Sequence, residues 1–293
     1  MAVEERDPHS GYLTTGHEWN GIKELNTPVP RVVFVFLALT FAFSLVYWLL
    51  MPSFPVGTTY LKGLLGVDQR TAVTEELRRA SASRAAWARR IETADYATIR
   101  ADPNLMGLVR ETGRPLFGDN CAVCHGTDAK GGPGFPNLTS GSWLWGGKPE
   151  DVARTLQVGI NAAHPDTRAS QMLAFGRDGM LSREDVDAVA AYVQSLSDRS
   201  VSSGPDAASA AAGAKVFASK CVACHGPAAK GSTSIGAPDL TDAFWIYGGD
   251  RSSIRASIWG GRQGHMPSWE ARLTDLDRKI LTLYVLDLGA RAP

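Results

Sequence analysis

The sequence predicts an all-α protein in which one N-terminal transmembrane helix is followed by two tandem copies of one small helical domain. Three observations predict it. An uncharged run of twenty residues, Val32 to Met51, lies near the N-terminus. From about residue 105 the chain repeats itself, so that Cys121 and Cys124 recur 100 positions later as Cys221 and Cys224. Helix-start signals recur in both copies, and no convincing alternation of apolar and polar residues marks a strand. The 293 residues carry 30 basic and 30 acidic side chains. That balance and a 44% hydrophobic content exclude collagen, low-complexity disorder and a nucleic-acid-binding domain. Four cysteines are too few for a disulfide scaffold.

The apolar run reads VVFVFLALTFAFSLVYWLLM. At about 1.5 Å per residue it spans a bilayer core of about 30 Å. Arg31 marks one end, and Tyr47 and Trp48 lie near the other, where amphipathic rings favour the headgroup zone. A soluble core helix would be shorter and keep a polar face. A cleaved signal peptide would not follow some thirty mostly polar residues carrying Glu4, Glu5, Asp7, Glu18 and Glu24, and no A-x-A site follows the run. The run is therefore read as an uncleaved anchor. Flanking charge orients it weakly, with Lys23 and Arg31 on one side and Lys62 on the other.

Residues 56–70 contain Gly57, Gly63 and Gly66 and read as a surface loop. Residues 71–100 are rich in Ala, Arg and Glu without Gly or Pro, which favours a helix. Its Arg78, Arg79, Arg84, Arg89 and Arg90 could meet phospholipid or an acidic partner, but a solvated helix face is the preferred reading. Beyond it the repeat extends well outside the cysteines. Gly113 and Phe117 match Gly213 and Phe217; Pro136-Asn137-Leu138 matches Pro238-Asp239-Leu240; Trp143 matches Trp245; Tyr192 matches Tyr284. Two copies of one small domain follow. Ser182-Arg183-Glu184-Asp185 and Thr274-Asp275-Leu276-Asp277 resemble capping boxes that start the last helix of each copy. Residues 197–213 have linker composition. The resulting division is 1–31 before the membrane, 32–51 in it, 52–104 as loop and basic helix, 105–198 as the first domain, 199–207 as linker and 208–293 as the second domain.

Cys121-Ala122-Val123-Cys124-His125 and Cys221-Val222-Ala223-Cys224-His225 are C-x-x-C-H motifs, the signature of c-type heme attachment. Two thiols three residues apart on a helical turn reach the two vinyl groups of one porphyrin, and the adjacent His faces the iron. A lone C-x-x-C could bind zinc or act as a redox dithiol, and two pairs could form one four-cysteine zinc site. Both pairs, however, carry His in the same place and a matching downstream Met. The sixth ligand in the second copy is Met266, the one Met downstream of that motif. In the first copy Met172 and Met180 compete. Met172 has an aromatic three residues on, as Met266 does, and stands ten residues before Ser182, as Met266 stands eight before Thr274. Met172 is therefore the expected ligand and Met180 a packing residue. Each Met is paired, by assumption, with the motif of its own copy. His–Met ligation fills both axial positions and raises the reduction potential, so the hemes argue for electron transfer and against catalysis by this chain. His164 and His265 are read as loop residues, and Arg168 as either a plain surface Arg or a partner of a heme propionate. Pro136 and Pro238 resemble the proline of c-type cytochromes whose carbonyl holds the ligating His.

An anchor followed by two monoheme cytochrome c domains resembles the diheme subunit, subunit III, of cbb3-type cytochrome c oxidases. Gly16-His17-Glu18-Trp19-Asn20-Gly21-Ile22-Lys23-Glu24-Leu25-Asn26-Thr27-Pro28 looks like that family's segment before the membrane, with Asn20 where an Asp is common. His164-Pro165-Asp166-Thr167-Arg168 is similar to a stretch of its first heme domain. The resemblance implies two covalent hemes c, electron entry from a cytochrome c donor, and neighbours comprising a catalytic heme b and copper subunit and a monoheme c-type subunit. It implies a bacterial inner membrane, with the N-terminus cytoplasmic and the heme domains periplasmic, and a part in aerobic or microaerobic respiration. A free-standing anchored diheme carrier and a diheme peroxidase are the other classes considered. Two good Met candidates count against the peroxidase, which needs an open iron.

Overall fold

The computed structural model describes residues 5–198 and 204–291. The chain divides into two compact units, one ending at Ser83 and one running from Arg84, and the division falls inside helix α2 (Gln69–Thr93).

The first unit holds two hairpins and the membrane helix. Strand β1 (Thr14–Trp19) pairs antiparallel with β2 (Ile22–Leu25). This corrects the expectation of a strand-free chain. Asn20 and Gly21 have φ of 51° and 84°, the backbone of a two-residue turn that Asn-Gly favours between strands. A second, two-residue pairing joins β3 (Pro55–Val56) to β4 (Thr59–Tyr60) inside the segment read as loop. Helix α1 (Arg31–Leu50) has a mean hydropathy of 2.4, and none of its residues is buried by protein. Its two aliphatic hydroxyls, those of Thr40 and Ser44, are satisfied within the helix: Thr40 Oγ1 donates to the Phe36 carbonyl at 3.0 Å and Ser44 Oγ to that of Thr40 at 2.8 Å. In lipid, where water is absent, such internal bonds replace the hydration that polar groups lose.

In the second unit the predicted long helix breaks near residue 94, and α3 (Tyr96–Ala101) begins at Asp95, whose carboxylate accepts from Thr98 N at 2.7 Å. Asp102 caps α4 (Pro103–Asn120) in the same way, accepting from Asn104 N and Leu105 N. The one-turn helix α5 (Ala122–His125) and α6 (Pro149–Val158) follow, then α7 (Arg183–Ser197), which starts at the predicted Ser182. The second copy contributes α8 (Ala207–Lys220), α9 (Val222–His225), α10 (Arg251–Gly260) and α11 (Asp275–Arg291). Residues 207–213, read as linker, are the first half of α8. Their alanines have the highest helix propensity of any residue.

The two cores each draw on both sequence copies. One gathers Val109 and Phe117 of α4, Val152 and Leu156 of α6, and Ile280, Leu283, Tyr284 and Val285 of α11, with Trp269. The other gathers Val186, Val189 and Val193 of α7, Phe217 of α8, and Ile254 and Ile258 of α10. The first copy's opening helix thus packs on the second copy's closing helix, and the reverse. Two glycines set how closely they approach. A Cβ on Gly113 of α4 would lie 2.7 Å from Tyr284 Cβ on α11, and one on Gly213 of α8 would lie 2.0 Å from the Ala188 carbonyl oxygen on α7. Beside each contact an aromatic pair forms across the copies, Phe117–Tyr284 at 5.9 Å and Tyr192–Phe217 at 5.2 Å between centroids. The repeat matches seen in sequence are therefore matches between contacts that cross from copy to copy.

Candidate heme centres

Each C-x-x-C-H motif is presented in the same way. Cys121 ends α4 and Cys221 ends α8, both half-buried in their cores, while Cys124 and Cys224 are exposed on the following single turn. Because the two pairs belong to different cores, they do not converge on one four-cysteine site, and among the described residues no group of three or more His, Cys, Asp or Glu could hold a metal ion. Burial pushes the Cys121 and Cys221 thiols up to about 11, which holds them as thiols until they are consumed as thioethers.

The imidazoles are fixed by backbone. His125 Nδ1 lies 3.1 Å from the Pro136 carbonyl oxygen and His225 Nδ1 lies 3.1 Å from that of Pro238. A donated Nδ1–H sets the tautomer and leaves Nε2 with its lone pair free for a metal. Burial lowers both His pKa values and outweighs the opposing effect of the carbonyl bond, so both rings stay neutral, as ligation requires. The loop that carries each proline is tight. Gly131 has φ of 71°, and a Cβ there would lie 2.3 Å from the Phe135 carbonyl oxygen; Gly231 meets the Ala237 carbonyl oxygen at the same distance. Neutral, oriented imidazoles beside paired thiols fit a covalently held heme.

The two expected methionines sit in equivalent places, but not with the motifs of their own copies. Met266 exchanges two backbone hydrogen bonds with Ile160, both 2.9 Å, just beyond α6, and packs against the core that holds Cys121. Met172 exchanges bonds of 2.8 and 3.0 Å with Arg262, just beyond α10, and packs against the core that holds Cys221. The packing is therefore crossed relative to the same-copy pairing assumed from sequence. Each methionine segment travels with the closing helix of its copy, and those helices have changed places. Met180 is 39% exposed and belongs to neither core. His164 Nε2 lies 2.9 Å from Glu270 Oε2, and His265 Nδ1 lies 2.9 Å from the Asn161 carbonyl oxygen, so both loop histidines are engaged by protein. The signal for the exchange lay in the short connection. With α7 ending at Ser197 and α8 starting at Ala207, the two helices are placed to pack on each other as neighbours.

The similarity to known proteins runs the length of the chain. The "Cbb3-type cytochrome c oxidase subunit FixP" of Bradyrhizobium sp. (strain ORS 278) is 47% identical over 285 residues, 97% of either chain. The chain belongs to the cbb3-type oxidase FixP/CcoP family. The FixP subunit of Bradyrhizobium diazoefficiens is 43% identical over 285 residues, 97% of each chain, and the CcoP subunit of Azospirillum brasilense is 41% identical over 296, 99% of each. Residues 11–58 match the N-terminal domain of cytochrome oxidase-cbb3, FixP; 111–197 match Cytochrome c; and 208–285 match Cytochrome C oxidase, cbb3-type, subunit III. As a FixP/CcoP-type subunit the chain carries two covalent hemes c, one per C-x-x-C-H motif, and is an electron-transfer protein. The exposed, paired strands before α1 lie within the FixP N-terminal match.

Proposed function

We propose that this chain is the electron-entry subunit of a membrane-bound cbb3-type terminal oxidase, with crossed axial ligands. The heme attached to Cys121 and Cys124 would be held by His125 and Met266, and that attached to Cys221 and Cys224 by His225 and Met172. The carrying observation is the exchanged backbone pairing that places each methionine segment against the opposite motif's core. When bound, such a heme supplies a one-electron couple of raised potential with no open position for substrate. The chain's own residues do the rest. The Pro136 and Pro238 carbonyls hold the Nδ1 protons. The Met172 and Met266 segments, held by their backbone bonds to Arg262 and Ile160, would offer the thioether ligands, and the buried helices would exclude water.

A catalytic heme b and copper subunit and a monoheme cytochrome c subunit would be its neighbours, and a soluble or membrane-bound cytochrome c its donor. Two redox centres in tandem suit a relay, one facing the donor and one the oxidase. Deleting residues 105–293 while keeping the anchor should stop oxygen consumption with the natural donor, while the heme–copper subunit keeps its oxygen-binding spectrum. Unchanged consumption by that oxidase would favour a free-standing carrier.

The membrane would be the bacterial cytoplasmic membrane, with residues 1–31 inside and 52–293 in the periplasm. The apolar helix α1, uncharged from Val32 on, supports a single pass, and c-type attachment outside that membrane supports the direction. Protease added to sealed spheroplasts should digest the heme domains and spare an N-terminal tag. Digestion of the tag alone would reverse the orientation.

A further inference from the structure

Two of the four half-buried arginines among the described residues of the second unit are neutralised by a carboxylate, Arg251 by Asp206 at 3.0 Å and Arg255 by Asp187, and the buried Arg278 is neutralised by Asp275. Among the described residues Arg168 and Arg262, both half-buried, form no such ion pair. Each instead lies over an aromatic ring, Arg168 at 5.0 Å from the Trp145 centroid and Arg262 at 4.2 Å from that of Tyr247. The rings are equivalent, since Trp145 and Tyr247 each stand two residues after the matched Trp143 and Trp245. The arginines are not equivalent in sequence. Arg262 occupies the position after α10 that Ile160 occupies after α6. Arg168 reaches the corresponding place by a loop that returns to pair with Ile160, its N–H donating to the Gly159 carbonyl at 3.1 Å. Two different routes thus put a guanidinium on the same aromatic in both lobes.

The remaining donors of these groups point to an anion. Arg168 Nη2 donates to the Asp151 carbonyl at 3.1 Å, and Arg168 Nε is the one buried side-chain polar atom among the described residues with no hydrogen-bond partner. Arg262 Nε donates to Ser257 Oγ at 2.9 Å, which leaves its terminal nitrogens. A buried donor without a partner costs about 1–3 kcal/mol, and an uncompensated guanidinium costs more. Each heme brings two propionate carboxylates, the acceptors a planar guanidinium matches best.

We propose that Arg168 and Arg262 are the propionate-binding residues of the two hemes and hold their potentials up. Arg168 serves the heme of Cys121, because it is tied to the strand that pairs with Met266. Arg262 serves the heme of Cys221, because its backbone is paired with Met172. The proposal rests on the heme sites above. A positive charge beside the porphyrin disfavours the ferric state, so its removal lowers the potential.

The test is a redox titration of the full-length heme-loaded protein in detergent. R168Q should lower the midpoint of one heme by about a tenfold change in its equilibrium constant, about 59 mV for one electron, with both hemes still attached. R262Q should lower the other. R168K should show less than half of that fall but shift the propionate bands in the redox-difference infrared spectrum, because an ammonium cannot bond as a fork. Midpoints and infrared bands that match the parent in R168Q, R168K and R262Q, with two hemes bound, would overturn the proposal. If R168Q fails to mature, R168K and R262Q decide it. Failure of the parent protein to carry covalent heme, read by mass spectrometry, would overturn the heme sites instead.

Discussion

Met266→Ala should abolish the His–Met charge-transfer absorbance of the heme at Cys121 and leave that of the heme at Cys221 intact. Met172→Ala should do the reverse. The assignment is made in a background in which only one motif can bind heme, for example Cys221→Ala with Cys224→Ala. There, Met266→Ala should remove the band and Met172→Ala should preserve it. The affected heme loses a thioether ligand, and its potential should fall by a sizeable part of the ~0.8 V range over which axial ligands tune hemes. Met180→Ala should leave both spectra unchanged, since its side chain is 39% exposed and outside both cores. If Met172→Ala instead removed the band of the Cys121 heme, the crossed ligation would be wrong.

The second large effect concerns the two halves of the chain. A product ending at Asp198 contains one entire sequence copy but lacks α11. Ile280, Leu281, Leu283, Tyr284 and Val285 of that helix are buried. At about 1.5–3 kcal/mol each, losing them removes about 8–15 kcal/mol, the whole stability of a typical domain. The truncated chain should therefore fail to protect its first heme from proteolysis and should bind a hydrophobic dye. Supplying residues 204–293 as a second chain in the same compartment should restore both lobes. A truncated chain that is as protease-resistant as the parent would show that the first copy folds alone. Arg110, which forms a fork with Asp287 of α11 at 2.8 and 3.0 Å, would lose its partner in the same truncation.

The motif and its ligands were legible because covalent chemistry dictates them. Two thioether bonds to one porphyrin fix the Cys spacing, and the repeat singled out Met172 and Met266 over Met180. The Ser182 cap was legible for a similar reason, as a local side-chain bond. The exchange was not. Tyr284 meets Phe117 much as Tyr192 meets Phe217, with interplanar angles of 51° and 56°, so the local pattern of either copy is compatible with both arrangements, as in any domain swap. Only the brevity of the chain between α7 and α8 distinguishes them. The alanines of 207–213 read as linker because small residues serve both linkers and tight helix contacts, and Gly213 is needed for the latter. The Asn20-Gly21 hairpin was present as a turn signal but lies in a segment with few apolar residues to support a strand pattern. Arg168 and Arg262 escaped pairing because an insertion moved one of them off the repeat register.

The crossing has a consequence for how the protein is made. The lobe around Cys221 closes by contacts between near neighbours in the chain, such as Ala188 with Gly213. The lobe around Cys121 closes only when Tyr284 reaches Gly113 and Phe117. Contacts this distant in sequence form late, because a long loop must be closed before they repay its entropy. During N-to-C synthesis the first C-x-x-C-H motif therefore emerges long before the helix that will cover it. It stays open to the heme-attachment machinery while the second lobe is already knitting together. The helix that seals the first heme, α11, is synthesised after every other helix of both lobes, so its arrival times the closing of the first lobe.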